Sequence, residues 1–280
     1  MPDHSVTSSI GIIGGVGPYA RLDLVKKIFD QTVAYTDQEH LPLALLSLPS
    51  AIPDRTAYRL GEEKTNPGEC IAEVALQLER MEARVAAIAC NTAHANAIYG
   101  HLLGKLREVG SPLKMLHLVD ETIRFLQTEF PGRRAIGVLS TTGAYRLRLY
   151  AQPLQEAGYR PIVLTPQMQT QLVHPAVYHP QVGIKATSNP VTRQARQWLE
   201  KSVRILTEAG AEAIVLGCTE IPLAITEPTL YGVPLIDPAV ALARALIREV
   251  APDKLKAWGG VAALPAEPCQ NAAEPVFPAL

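Results

Sequence analysis

The sequence predicts an α/β protein made of two similar halves with mainly parallel sheets. Short runs rich in Ile, Val, Leu and Ala, of the kind that form strands buried on both faces, alternate with segments whose apolar residues recur at helical spacing. Several of these runs end in glycine, or in cysteine followed by small polar residues, as a strand does where it turns into a helix. The third observation is a weak internal repeat. Residues 11–19, Gly-Ile-Ile-Gly-Gly-Val-Gly-Pro-Tyr, lie against residues 137–145, Gly-Val-Leu-Ser-Thr-Thr-Gly-Ala-Tyr, at an offset of 126. Cys90 and Cys218, each closing an apolar run, are offset by 128.

In order along the chain, residues 9–16 read as a strand with a glycine-rich exit. Leu22, Leu24, Val25, Ile28 and Phe29 then give residues 19–35 a helical face. A second strand is predicted over 41–48, and the polar, turn-rich residues 49–66 predict a loop. Ile71, Val74, Ala75 and Leu78 mark a helix over 67–81, after which strand 85–89 delivers Cys90. Helix 95–109, strand 113–119 and helix 121–130 complete the first half. The second half opens with strand 134–139 and the turn Ser140-Thr141-Thr142-Gly143. Helix 145–156, strand 160–164, an irregular stretch over 174–190 and helix 192–209 follow. Strand 213–216 delivers Gly217-Cys218-Thr219, and strand 233–236 and helix 238–250 end the pattern. The division expected is an N-terminal α/β domain of 8–118 plus 225–250 and a C-terminal α/β domain of 119–224. Residues 251–280, rich in Ala, Pro and Gly, are expected to be a loosely ordered, dispensable tail.

With 280 residues, 48% hydrophobic and 19% charged, the chain can bury a substantial core. A net charge of −1 argues against a nucleic-acid binder, which would carry a basic face. No apolar run approaches the roughly 18 residues of a membrane span, and residues 1–10 lack the pattern of a secretory signal. Cys70, Cys90, Cys218 and Cys269 form neither a C-x-x-C pair nor a cluster with zinc spacing, so no metal is expected. A cytoplasmic protein with free thiols is the simplest expectation.

Each half presents one cysteine just past a strand end, the edge of an open α/β sheet where ligands sit. Two thiols facing one cleft suit proton transfer at a stereocentre, with a thiolate base on one face and a thiol acid on the other. Asn91, Thr92 and Thr219 are candidate donors for a substrate α-carboxylate. A cysteine at a strand end is more often a small buried hydrophobe. His94, four residues after Cys90, is either its partner or a histidine bonded at a helix start. Arg55 and Lys185 read by default as solvated loop charges. A dinucleotide loop at Gly15-x-Gly17 is weakened because no acidic residue follows the second strand.

Seven segments in order resemble the aspartate/glutamate racemase family, and its aspartate racemase branch most. They are Gly11–Pro18, Asp37–His40, Pro53–Thr56, Ala89–His94, Gly137–Gly143, Gly183–Lys185 and Leu216–Pro222. The resemblance implies two pseudo-two-fold-related α/β domains with the active site at their interface. It implies racemisation of aspartate, with glutamate as a further substrate, by Cys90 and Cys218, without pyridoxal phosphate, metal or other cofactor. It further implies that Asn91, Thr92, Thr141 and Thr219 hold the α-carboxylate and amino group, and that Arg55 and Lys185 hold the side-chain carboxylate. Its members commonly form homodimers, so a small acidic amino acid and a second copy of the chain are the expected partners. Val16 and Ala144 depart from the family pattern, at positions usually held by Met and often by Thr, which bears on substrate preference. Retention of both cysteines argues against the decarboxylases of the superfamily. Dicarboxylate cis–trans isomerases and a non-catalytic acidic amino-acid binding protein remain as alternatives, and only the binder would keep its function without the thiols.

Overall fold

Every residue of strand β1 (Ser9–Ile13) is buried, as the middle of a parallel sheet requires. The computed structural model, which describes residues 9–14 and 17–259, shows two such sheets. The first has the order β2-β1-β3-β4, all parallel, with β2 at Leu43–Leu46, β3 at Ala83–Ile88 and β4 at Lys114–Leu116. The second has β5 (Ala135–Ser140), β6 (Arg160–Val163), β7 (Ala213–Gly217), β8 (Thr229–Leu230) and β9 (Val233–Ile236) in the order β6-β5-β7-β9-β8. Its strands are parallel except for the small β8–β9 pair. Matching β1, β2, β3 and β4 to β5, β6, β7 and β9 superposes the two orders, so the internal repeat is a repeat of topology.

The repeat extends to packing. A Cβ on Gly11 would lie 3.1–3.3 Å from Ala83, Ala86 and Leu78. A Cβ on Gly137 would lie 2.8–3.4 Å from Ile214, Ala211 and Leu206. These contacts are themselves 128 residues apart, pair by pair. At both positions the missing side chain lets a helix lie close against the sheet. The helices are α3 (Pro67–Arg80) in the first half and α10 (Arg193–Glu208) in the second.

Helices α3 and α4 (Asn96–Glu108) cover one face of the first sheet. The other face is covered by α1 (Pro18–Gln31) and α12 (Pro238–Val250). In the second half α10 and α9 (His174–Tyr178) pack on one face. On the other lie α5 (Leu118–Glu129) and α7 (Ala151–Glu156). Helix α12 is buried almost all round, and its alanines let it lie between the two halves against α1 and α5. Among the described residues, no helix is long and apolar enough to cross a membrane.

Four expectations are corrected. Strand 233–236, expected with the N-terminal domain, pairs with β7 in the second sheet, and only α12 returns to the first. The loop expected over 49–66 contains helix α2 (Arg55–Leu60), capped by Asp54, whose Oδ1 accepts from the backbone N–H groups of Thr56 and Ala57 at 2.8 Å. Helix 145–156 is two pieces, α6 (Thr142–Arg146) and α7, broken where Arg148 adopts φ 51°. The irregular stretch begins later than expected: α8 (Pro166–Met168) runs through a π-helical turn at Gln169–Val173 into α9.

The tail also starts later than residue 251. Val33 N–H donates to the Lys254 carbonyl at 2.7 Å, and Lys256 N–H donates to the Gln31 carbonyl at 2.9 Å. Trp258 packs edge-on to Phe125 at 4.8 Å, with the Arg244 guanidinium 5.2 Å from its ring. Residues 260–280, with Cys269, lie outside the described residues, as does Val16. Relative to truncation after Gly259, truncation after Val250 is expected to lower thermal stability by roughly 2 kcal/mol, or about 5 °C, through loss of the Trp258 contacts. Differential scanning calorimetry of the two truncations checks this, and equal melting temperatures would refute it.

Candidate active site

Cys90 and Cys218 stand at equivalent points, one residue or two past the C-terminal edges of β3 and β7. Both turns are built alike. Cys90 N–H donates to the Ile88 carbonyl and Cys218 N–H to the Leu216 carbonyl, each at 2.8 Å. Each cysteine carbonyl then accepts from the N–H three residues on, of Ala93 at 3.3 Å and Ile221 at 2.9 Å. The hydroxyl of Thr219 donates to the Ala89 carbonyl at 3.1 Å and ties the second turn to the first.

The two turns close on one cavity. It is lined by Cys90, Asn91, Thr92 and Thr141, by Cys218, Thr219 and Glu220, by Arg55 and Thr56 from α2, and by Tyr178 and Lys185. All eight residues singled out in the sequence are here. The cavity is small, about 20 Å³, which is room for about one water. A larger chamber of about 510 Å³ adjoins it, sharing Arg55, Thr56, Thr92 and Tyr178 and bounded further by Arg59, Arg146 and His174.

The two thiols sit in opposite electrostatic settings. Burial alone would push the Cys90 thiol up, but the guanidiniums of Arg55 and Arg21 and the Thr92 hydroxyl outweigh it and hold Cys90 below the ordinary thiol range. Thr92 Oγ1 lies 3.4 Å from its sulfur. Burial and the Glu220 carboxylate push Cys218 well above that range, against the partial offset of Lys185. Its S–H donates to Glu220 Oε2 at 3.0 Å. Glu220 is itself buried, yet its pairing with Lys185 Nζ at 2.7 Å and the bond from Cys218 keep its carboxyl below the usual range. The surroundings of Cys90 therefore favour its thiolate and those of Cys218 its thiol.

Donors for an anion are also present. Tyr150, buried behind the cavity, donates its hydroxyl to Asn91 Oδ1, which turns the Asn91 amide so that Nδ2 has no partner among the described residues. Thr141 caps α6, its hydroxyl accepting from Ala144 N–H at 3.4 Å. His94 is not a partner of the Cys90 thiol. Its Nδ1–H donates to the Cys90 carbonyl at 2.9 Å, and burial holds the ring down to about 3, hence neutral. Cys70, half-buried on α3, lies away from the cavity.

The profile of the Asp/Glu/Hydantoin racemase family matches residues 13–246, most of the chain and both cysteine turns. The chain belongs to this racemase family. Its sequence is similar to the broad specificity amino-acid racemase RacX of Bacillus subtilis (strain 168), at 24% identity over 244 residues, covering 85% of this chain and 96% of RacX. Its structure is similar to the aspartate racemase of Picrophilus torridus, with TM-score 0.71 and 26% identity over 87% of this chain and 94% of that one. The fold is shared with a glutamate racemase from Francisella tularensis, with TM-score 0.60 and 16% identity over 89% of this chain and 83% of the other.

For this racemase-family chain, sequence reasoning missed Thr56, Tyr178, Glu220 and Tyr150. Glu220 stood inside the quoted motif Gly217-Cys218-Thr219-Glu220, next to a cysteine, but carboxylates are surface residues by default. Tyr178 lies in the stretch read as irregular. Tyr150 lies in the unforeseen break between α6 and α7, at the N-cap of α7, so its inward direction was not legible.

Proposed function

We propose that the chain interconverts L- and D-aspartate, with glutamate and larger amino acids as further substrates, by cofactor-independent two-base proton transfer through Cys90 and Cys218. The observation that carries this reading is the pair of thiols at one cavity, one beside guanidiniums and the other bonded to a carboxylate. Cys90 Sγ⁻ takes the α-proton from one face of Cα, and the Cys218 S–H gives its proton to the other. The enzyme is left with Cys90 as thiol and Cys218 as thiolate, and exchange with solvent restores the starting form. Asn91 Nδ2 and the hydroxyls of Thr92, Thr141 and Thr219 hold the α-carboxylate and amino group, and their fixed dipoles stabilise charge developing at Cα. Arg55 and Lys185 receive the side-chain carboxylate, for which a forked guanidinium is the stronger partner. Arg55 borders both cavities, so larger side chains extend past it into the outer chamber. The test is proton NMR of L-aspartate with purified protein in D₂O, with chiral analysis and no added cofactor. Loss of the α-proton signal with accumulation of D-aspartate is expected. Absence of exchange on aspartate, glutamate and neutral amino acids would overturn the reading.

Arg55→Ala is expected to lower kcat/KM for aspartate by about 10- to 100-fold more than that for alanine, the loss of a charged hydrogen bond adding to the weaker support of the Cys90 thiolate that both substrates share. Equal losses on both substrates would remove Arg55 from side-chain recognition.

A further inference from the structure

Arg21 is fully buried, with 0% of its surface exposed, and does not line the cavity. It projects from the first turn of α1 on the face that also carries Ala20, Leu24 and Ile28. Its Nη1 donates to the Gly17 carbonyl, while Nε and Nη2 have no partner among the described residues. A guanidinium buried without a counter-charge is strongly unfavourable, so its surroundings show what it is there for. A Cβ on Gly17 would overlap Glu220 Oε1 and lie 3.2 Å from Arg21 Nη1. The Arg21 guanidinium and the Glu220 carboxylate thus flank one glycine, held at φ 81°, with room for nothing larger than hydrogen. The groups that attract Arg21 are Cys90 first and Glu220 second, with Arg55 opposing, and it remains charged at neutral pH although burial lowers it to about 10.

The charges around Cys90 come from three elements. Arg55 on α2 and Arg21 on α1 favour its thiolate, and Glu220 in the turn after β7 opposes it. Lys185 is paired with Glu220, and His94 is neutral. The two guanidiniums are not equivalent. Arg55 lines the cavity and Arg21 does not, so Arg21 lies behind the wall, out of reach of a substrate.

We propose that Arg21 is a positioning residue, a buried cation that keeps Cys90 charged when a substrate carboxylate occupies Arg55. This rests on Cys90 acting as a base. A bound carboxylate neutralises Arg55 and would let Cys90 take up a proton. Arg21 cannot be neutralised in this way, so the base survives substrate binding.

The test is the ultraviolet thiolate absorbance of Cys90, titrated without substrate as the difference between each protein and its Cys90→Ser counterpart. In the otherwise unmodified chain the midpoint is expected below the ordinary value of about 8.5. Arg21→Met is expected to raise it by about one pH unit, a tenfold loss of thiolate ratio, and Arg21→Lys to restore most of the shift. The acid limb of kcat for aspartate moves with it, and KM stays within a few-fold. An unchanged midpoint in folded Arg21→Met, whatever its melting temperature, overturns the proposal. If Arg21→Met does not fold, a Cys90 midpoint at or above about 8.5 with Arg21 in place overturns it equally. A midpoint shift in a protein that racemises nothing would uphold the role of Arg21 and refute the racemase reading, so the two failures are distinguishable.

Discussion

Serine in place of either active-site cysteine is expected to lower racemisation by about 10²- to 10⁴-fold, and the two variants are expected to fail differently. A hydroxyl is a far weaker acid than a thiol, and loss of one positioned proton-transfer group lowers a rate by about 10²–10⁴. The difference follows from the unequal settings of the two sulfurs. Cys218→Ser leaves Cys90 with Arg55, Arg21 and Thr92, so the base for one substrate hand survives. That hand should still exchange its α-proton with D₂O at a reduced rate, returning the proton to the same face, while the opposite hand does not accumulate. Cys90→Ser removes this base, and exchange of that hand should be lost with racemisation. Both sulfurs are buried and serine is smaller, so circular dichroism should show both variants folded. The measurement is deuterium incorporation into each pure enantiomer, followed by NMR. Equal loss of exchange on both hands in both variants would refute the unequal assignment. Retained racemisation in either would refute two-thiol chemistry altogether.

The asymmetry was not legible in the sequence, although its location was. Cys90 and Cys218 could be read because each ends a short apolar run, and the strand end is where an open sheet exposes its ligand edge. The strand–helix alternation was legible for the same reason, since β1, β3, β5 and β7 are buried on both faces and must be almost wholly apolar. What separates the two thiols is which charges stand beside them, and those come from other elements. Helix α2, which carries Arg55, has six residues and no apolar stripe to announce it. Glu220 touches Cys218 only because the turn folds back. Arg21 did leave a signal: Arg21, Leu24 and Ile28 fall at i, i+3 and i+7, one buried stripe of α1 with a cation at its head. The strand at 233–236 was grouped with helix 238–250, but only the helix returns to the first sheet; matching the β3–β4 pair to β7 by topology, rather than by residue offset, puts the strand beside β7.

The second large effect concerns Glu220 and Lys185. Glu220→Gln is expected to destabilise the protein by roughly 3 kcal/mol at neutral pH, the lower end for breaking a buried ion pair, because Lys185 retains some solvent contact. In melting temperature this is about 10 °C. The sign with pH follows from both partners. The Glu220 carboxyl is held below its usual range, so its contribution is present above the unfolded value of about 4.3 and is lost as pH falls through the folded one. The Lys185 ammonium is held above its usual range by Glu220. Its contribution is complete below about 10.4 and lost as pH rises through the folded value. The gap between the unmodified protein and Glu220→Gln should therefore be widest between these limits and close in acid. The double variant Lys185→Met/Glu220→Gln should recover part of the lost stability, since it leaves no unpaired charge at Lys185, while Arg21 still loses the attraction of Glu220. It should still not racemise aspartate, lacking one cation for the side-chain carboxylate and the negative charge that holds Cys218 as a thiol. Thermal unfolding of the unmodified protein, both single variants and the double at neutral and acid pH measures this. A double variant no more stable than the singles would show that the pair is not the source of the effect. An active double variant would remove Lys185 and Glu220 from the chemistry.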